Sequence, residues 1–171
     1  KQKKAFEALR DRFNYKNLFN CPRLIKVVIS VGIGSVKDKK KVELVASRLA
    51  KITGQKPAVR GAKKSIASFK VREGDPVGYQ VTLRGAIMYS FLDKFLNVAL
   101  PRTKDFGGLQ NKSIDEMGGC TFGIKEHTIF PETADEELKD VFGLAITVVT
   151  TSKSKEETLA FLQYLGFPFK K

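Results

Sequence analysis

The chain has no tryptophan, a single histidine (His127) and two widely separated cysteines, Cys21 and Cys120. That stock is too small for a disulfide framework, and its spacing matches no zinc site. A Cys120–His127 nucleophile pair fails on distance, because seven residues of strand span about 23 Å and put the two side chains on opposite faces. Cys120 reads as a small strand residue and His127 as one at the solvent edge. No apolar run approaches the roughly 20 residues of a membrane-spanning helix. The basic, amphipathic start KQKKAFEALR lacks the apolar core of a signal peptide. The simplest expectation is a reducing cytoplasmic location away from membranes, with no metal and no cofactor.

Acidic residues are scarce in one part of the chain only. Residues 1–104 hold 24 Lys+Arg against 7 Asp+Glu, whereas residues 105–171 hold 7 against 11. A protein with one face on a phosphate backbone has a use for such polarity, since each neutralised phosphate releases counterions. Basicity alone does not separate DNA, RNA and anionic membrane. Residues 56–72, KPAVRGAKKSIASFKVR, carry six basic side chains and no acid. Gly61, Ala62, Ser65, Ala67 and Ser68 give this stretch little area to bury, while Phe69 is available to stack. A solvated, solubilising loop would show the same composition. Within so basic a half-chain the pattern points to nucleic acid.

The 171-residue chain, 42% apolar, suits one domain with a substantial core. A first helix is predicted over residues 3–14, with Phe6, Leu9 and Phe13 on one stripe. Residues 24–31 alternate as a strand, Ile25, Val27, Ile29 and Val31 on one face and Lys26 and Ser30 on the other. A capping box from Ser35 to Asp38 opens a second helix, whose stripe is Val42, Val45, Ala46, Leu49 and Ile52 and whose stop is Gly54. A short strand around Ala58 and Val59 precedes the basic loop. Residues 77–84 form a strand with Val77, Tyr79, Val81 and Leu83 inward and Gln80, Thr82 and Arg84 opposite. An apolar third helix runs over residues 86–100 and ends at Pro101. Glycine-rich residues 105–119 read as loop, and strands follow near 120–130 and 144–151. Between those strands, residues 131–142 are acidic and irregular; Asp135, Glu136, Glu137 and Asp140 suit a solvated turn that repels RNA or attracts a basic protein. A capping box at Ser154 to Glu157 starts the last helix, with Leu159, Leu162 and Leu165 as its stripe. These elements predict a single α+β domain over residues 1–171. It has two layers, a mainly antiparallel sheet with helices packed on one face, and a long basic loop protruding at about residues 60–75.

Two constellations have the residue types for RNA. Lys26, Ser30, Gln80, Thr82 and Arg84 share the face away from the helices if their strands are neighbours, and Arg102 and Lys104 follow the third helix. This surface has hydrogen-bonding groups as well as charge. Gly32 and Gly34, between strand and helix, offer free amides to a phosphate. The segment Val31-Gly32-Ile33-Gly34-Ser35 is also where a dinucleotide site would begin. The third glycine of that fingerprint is absent, since position 37 is lysine, and no repeated βαβ pattern follows.

Ordered motifs through nearly the whole chain resemble one family. They are GQKP (54–57), KKSIASFKVR (63–72), GDPVG (74–78), VTLRG (81–85), PRTKDFGGL (101–109), GIKEHTIFPE (123–132), TVVTT (147–151) and FPF (167–169). This pattern is similar to that of ribosomal protein five of the large subunit, in its bacterial form. The resemblance implies a non-catalytic α+β protein that binds 5S rRNA in the central protuberance of the cytoplasmic ribosome. Lys26, Ser30, Gly32, Gly34, Gln80, Thr82, Arg84, Arg102 and Lys104 are then the candidate rRNA contacts. The resemblance also implies that the loop reaches P-site tRNA, with Lys63, Lys64, Ser65, Phe69, Lys70 and Arg72 as contacts. It implies further neighbours: 23S rRNA, other large-subunit proteins, and a small-subunit protein in an inter-subunit bridge. The sequence departs from the family pattern at Gly118-Gly119-Cys120, where more polar residues are expected, and at Gly108, where a basic residue is common. A free-standing RNA chaperone or regulator, or a phosphate- or nucleotide-using enzyme at residues 32–35, are the alternatives.

Overall fold

Every strand pairing in the sheet is antiparallel. The computed structural model describes residues 2–34, 36, 38–104, 107–133 and 141–170, the side chains of residues 2 and 3 excepted. Among the described residues there are five strands, β1 (Leu24–Gly32), β2 (Ala58–Gly61), β3 (Pro76–Leu83), β4 (Gly119–Ile124) and β5 (Leu144–Thr150), in the order β2-β3-β1-β5-β4. Four α-helices accompany them: α1 (Gln2–Phe13), α2 (Lys39–Thr53), α3 (Gly85–Lys94) and α4 (Lys155–Tyr164). The α+β class, with an antiparallel sheet and helices on one side, is as the patterning predicts. No helix of the described residues is long and apolar enough to cross a membrane.

The period-2 pattern of the strands decides which face is covered. Val27, Ile29 and Val31 on β1, Val81 and Leu83 on β3, and Ile146 and Val148 on β5 are each 2% exposed or less. The register puts them side by side, Val27 against Leu83 and Val148, and Ile29 against Val81 and Ile146. Below them, Phe95 is the hub of a ring cluster, with centroids 6.3 Å from Phe91, 6.5 Å from Phe130 and 6.2 Å from Phe122. Phe122 in turn stacks on Phe167 at 5.7 Å. Such offset ring pairs add to the burial of their area. At Phe95 the third helix widens into a π turn, Phe95–Ala99, and then tightens into a 3-10 turn, Leu100–Arg102, that carries Pro101.

Several local expectations are corrected. Ile25 does not join the buried face: the β1–β5 register shifts between Leu24 and Lys26, so Leu24 turns inward and Ile25 is 40% exposed. Helix α2 starts three residues later than the Ser35 box implies. Its N-cap is Asp38, whose carboxylate accepts from the Lys40 N–H at 2.9 Å, and Ser35 lies outside the described residues. Gly54 closes the helix in the left-handed region, as expected. Helix α4 does begin at a Ser154 cap, but Glu157 reaches the Lys153 N–H rather than that of Ser154. Its buried residues are Thr158, Ala160, Phe161 and Leu162, while Leu159 and Leu165 are only partly covered. The expected acidic turn at Asp135, Glu136, Glu137 and Asp140 lies outside the described residues.

Candidate nucleic-acid interface

The alternate strand positions form the open face of the sheet. Ser30 is paired with Gln80 on one side and Ala145 on the other, and Val28 with Thr82 and Thr147. All are part-exposed, and apart from Tyr79 their neighbours in sequence are buried. Thr147 continues the row to Thr121 on β4, their hydroxyl oxygens 3.0 Å apart. At the other edge Ala58 pairs with Gln80, and Arg60 Nε donates to Gln80 Oε1 at 2.5 Å. Lys26 stands on the same face, paired with Val149. The outward positions of these strands therefore carry hydroxyls, an amide and two cations, with glycine, alanine and the part-exposed Val28 and Val149 between them, and no carboxylate. They also carry no aromatic ring. A surface of this kind, with donors and cations but no rings, suits the backbone of a structured RNA better than splayed, stacking bases.

The structure brings Lys26, Ser30, Gln80 and Thr82 onto one surface. It adds Arg60, which sequence reading assigned to the loop; the signal available was the short β2 pattern, extended by one alternation past Ala58. Arg84 follows Leu83, the partner of Val27, and is exposed at the N-cap position of α3 in extended conformation. It therefore sits at the Lys26 end of the face. Arg102 and Lys104 are exposed, at the end of the third helix and just beyond it. Residues 85–102 are helical, and at 1.5 Å per residue they carry Arg102 about 25 Å from Arg84. Gly32, the last residue of β1, pairs with Gly78, and the Ile33 N–H donates to the Val77 carbonyl at 2.9 Å, so the chain leaves β1 beside the start of β3. The dinucleotide alternative at residues 32–35 loses its basis, because the strands flanking β1 are antiparallel to it and α2 opens only at Lys39.

The basic segment leaves the sheet at the opposite end, about 23 Å along β3 from Leu83. It is not an open loop throughout. The Ala62 N–H donates to the Asp75 carbonyl at 2.8 Å, Ile66 and Val71 exchange bonds at 3.0 and 3.3 Å, and Ser65 Oγ accepts from the Glu73 N–H at 2.9 Å. A 3-10 turn, Ala67–Phe69, forms the tip, with Lys70 in the left-handed region at φ 53°. The segment is thus a hairpin arm that prolongs the β2–β3 pair. Lys63, Lys64, Ser65, Lys70 and Arg72 are all exposed on it, and Phe69 is 75% exposed.

Two departures from the expected pattern are explained by backbone geometry. Gly118 has φ +80°, and a Cβ there would lie 2.5 Å from the Ser152 carbonyl oxygen. Gly108 has φ +88°, with the Lys170 backbone nitrogen 3.1 Å from where a Cβ would stand. Glycine at both positions serves the fold.

The histidine expectation is overturned. His127 is fully buried, its ring 4.0 Å from that of Phe142, with Nδ1 accepting from the Phe142 N–H at 3.3 Å. Arg48 Nη1 lies 3.4 Å from Nε2. Burial, seconded by the Arg48 charge, pushes the imidazole pKa down to about 4. The ring pins residues 127 and 142 to each other as a neutral side chain. Cys120 is fully buried in β4, as its strand position predicts, and burial pushes its thiol up to about 12. A thiol so held is not a nucleophile at neutral pH. Both cysteines are free. Among the described residues, no group of three or more His, Cys, Asp or Glu could hold a metal ion.

The family model described as ribosomal protein L5 matches residues 17–72, and a second model, for the C-terminus of the same ribosomal protein family, matches residues 76–169. The chain belongs to the ribosomal protein L5 family. Relatives include the large ribosomal subunit protein uL5 of Trichlorobacter lovleyi, 49% identical over 99% of this chain and 95% of the relative. The proteins of the same name from Halothermothrix orenii (48%; 94% of this chain, 90% of the relative) and Thermotoga sp. (46%; 99% and 93%) are similar over nearly full length. The junction between the two matched regions falls in the arm, between Arg72 and Pro76. The family is one of structural constituents of the ribosome, not of enzymes.

Proposed function

We propose that the protein holds 5S rRNA in the central protuberance through the open face of its sheet, and presents the 60–75 arm to P-site tRNA. The observation that carries this reading is the register that lines up Ser30, Gln80 and Thr82 between Lys26 and Arg60 on a face without carboxylates. Ser30, Thr82 and Gln80 can bond sugar hydroxyls and phosphate oxygens, while Lys26, Arg60 and Arg84 neutralise charge. The arm leaves from the far end of β3, so the same body can meet two RNAs at once. Lys63, Lys64, Lys70 and Arg72 would meet tRNA phosphates, and Ser65 and Phe69 its sugar or bases. Arg102 and Lys104 follow the third helix, a helix length from Arg84, and are assigned to a separate rRNA contact, with 23S rRNA as its partner. The same reading gives the protein a cytoplasmic, ribosome-bound location, among other large-subunit proteins and at a bridge to a small-subunit protein.

The test is a titration of a transcribed bacterial 5S rRNA against an unrelated RNA of equal length, repeated across salt. Neutralising about four to six phosphates predicts a log–log slope of roughly −3 to −5. Binding should need no added cofactor. Equal affinity for the two RNAs would overturn the assignment of the sheet face.

A further inference from the structure

The open face has no ring on which a base could stack, yet one end of it is flanked by the most exposed large apolar residue of the described chain. Phe19 is 85% exposed. It stands in the middle of a 3-10 turn, Leu18–Asn20, between α1 and β1. A single exposed ring needs no explanation on a mobile surface, but this one is held. Asn17 caps the turn, accepting from the Phe19 N–H at 3.3 Å. The Asn20 and Cys21 N–H groups close it onto the Asn17 and Leu18 carbonyls at 3.0 and 3.2 Å. Cys21 and Pro22 behind it are buried. Arg23 then locks onto Thr151 in both directions, its N–H to Thr151 Oγ1 and its carbonyl to the Thr151 N–H, each at 3.0 Å. This extends the β1–β5 ladder beyond the Leu24–Thr150 pair. The turn therefore lies at the end of the sheet where Lys26 and Arg84 stand.

Its surroundings are those of a polyanion contact. No Asp or Glu occurs between Asp11 and Asp38, while Arg12, Lys16, Arg23 and Lys26 do. Lys16, Asn17, Asn20 and Arg23 are exposed in the short segment that carries the ring. Glu157 reaches this region from α4, where its carboxylate accepts from the Tyr15 hydroxyl and the Lys153 N–H.

We propose that Phe19 is a stacking residue that takes an unpaired nucleobase of the RNA lying on the open sheet face. The division of labour is physical. The face itself offers hydroxyls and cations to a backbone, which fixes position without stacking; the ring at its end supplies the stacking the face lacks and is indifferent to which base it meets. A backbone running off the ladder at Arg84 and Lys26 would bring an unstacked base over this turn. The proposal rests on the sheet face being the 5S rRNA surface.

The test uses the full-length protein and a transcribed bacterial 5S rRNA. Because the chain has no tryptophan, Phe19→Trp introduces a single indole whose emission reports the site alone. Its emission should be quenched on RNA addition, with affinity close to that of wild type. Phe19→Ala and Phe19→Leu should each weaken binding by about tenfold or more, the effect of losing one aromatic–base stack. Neither should change the salt slope, since no phosphate contact is lost, whereas Arg60→Ala should make the slope shallower by about 0.7–0.9. Wild-type melting should be kept in all of them, the ring being outside the core. Wild-type affinity in Phe19→Ala, or unchanged indole emission while RNA binds, would overturn the proposal and leave Phe19 to a protein neighbour. Failure of the wild type itself to prefer 5S rRNA would instead sink the reading of the sheet face, and this one with it.

Discussion

The two faces of one sheet have opposite chemistries in this protein. On the inner face Val27, Ile29, Val81, Leu83, Ile146 and Val148 meet helices and a stack of phenylalanine rings. On the outer face their immediate neighbours are Ser30, Gln80, Thr82 and Thr147, with Val28 and Ala145 among them. Because side chains alternate with period 2, a core position and a solvent-facing one are separated by a single residue step. A ribosomal protein gains from that separation. The outer surface can be shaped for RNA while the core holds the strands in register.

The strongest way to break the comparison is to damage the inner face alone. Phe95→Ala removes the hub of the ring cluster and should cost about 3–5 kcal/mol of stability. At a temperature where the variant remains folded, its affinity for 5S rRNA should be unchanged. Urea titration and filter binding on the same preparation measure both; a large loss of affinity in fully folded protein would show that the faces are coupled.

The next effect is acid-dependent. Since the His127 pKa is about 4 in the fold against 6.5 unfolded, the unfolded chain binds the extra proton first as pH falls. The contribution is complete above about pH 6.5 and is lost progressively toward pH 4, up to about 3 kcal/mol. Denaturation midpoints from pH 7 to 4 should show this fall. If His127→Gln followed the same curve as wild type, the titrating group would lie elsewhere.

On the outer face the effects should fall on binding, not folding. Arg84→Ala should weaken 5S rRNA binding by on the order of 1–3 kcal/mol and leave melting within about 0.5 kcal/mol of wild type. The same pair of measurements with Arg102→Ala should give a smaller loss, because about 25 Å of helix separates Arg102 from Arg84. Equal losses would place both arginines on one RNA surface.

The smallest effect on 5S binding should come from the arm. Replacing residues 62–74 by a short Gly-Ser turn keeps β2 and β3 and should change 5S affinity by less than about tenfold, through lost long-range electrostatics. In ribosomes assembled with this variant, P-site tRNA retention should fall while 5S incorporation persists. The reverse pattern would exchange the two assignments.

Much of this could be read in the residues. The alternation in β1, β3 and β5 identified the buried face, the ordered motifs carried the family, and Gly54 and Ser154 marked helix ends whose geometry is local. Elsewhere the local signal was genuine but insufficient. Ile25 fits an alternating strand until a one-residue slip against β5 turns it out. His127 has no local mark of burial, since Arg48 and Phe142, which enclose it, come from distant parts of the chain. Arg60 looked like part of a charge run until pairing with β3 set its side chain beside Gln80.

Composition and periodicity by themselves determined the class of fold, the basic half-chain and the two sets of residues suited to RNA, because charge and side-chain period are properties of short stretches. Tertiary structure decided which of those residues share a surface. It joined Lys26, Arg60 and Arg84 to the hydroxyl face, sent Arg102 and Lys104 away along a helix, folded the basic stretch into a paired arm, and left Phe19 standing at the sheet's end. Strand order and register are set by contacts between residues far apart in the chain, and no local pattern encodes them.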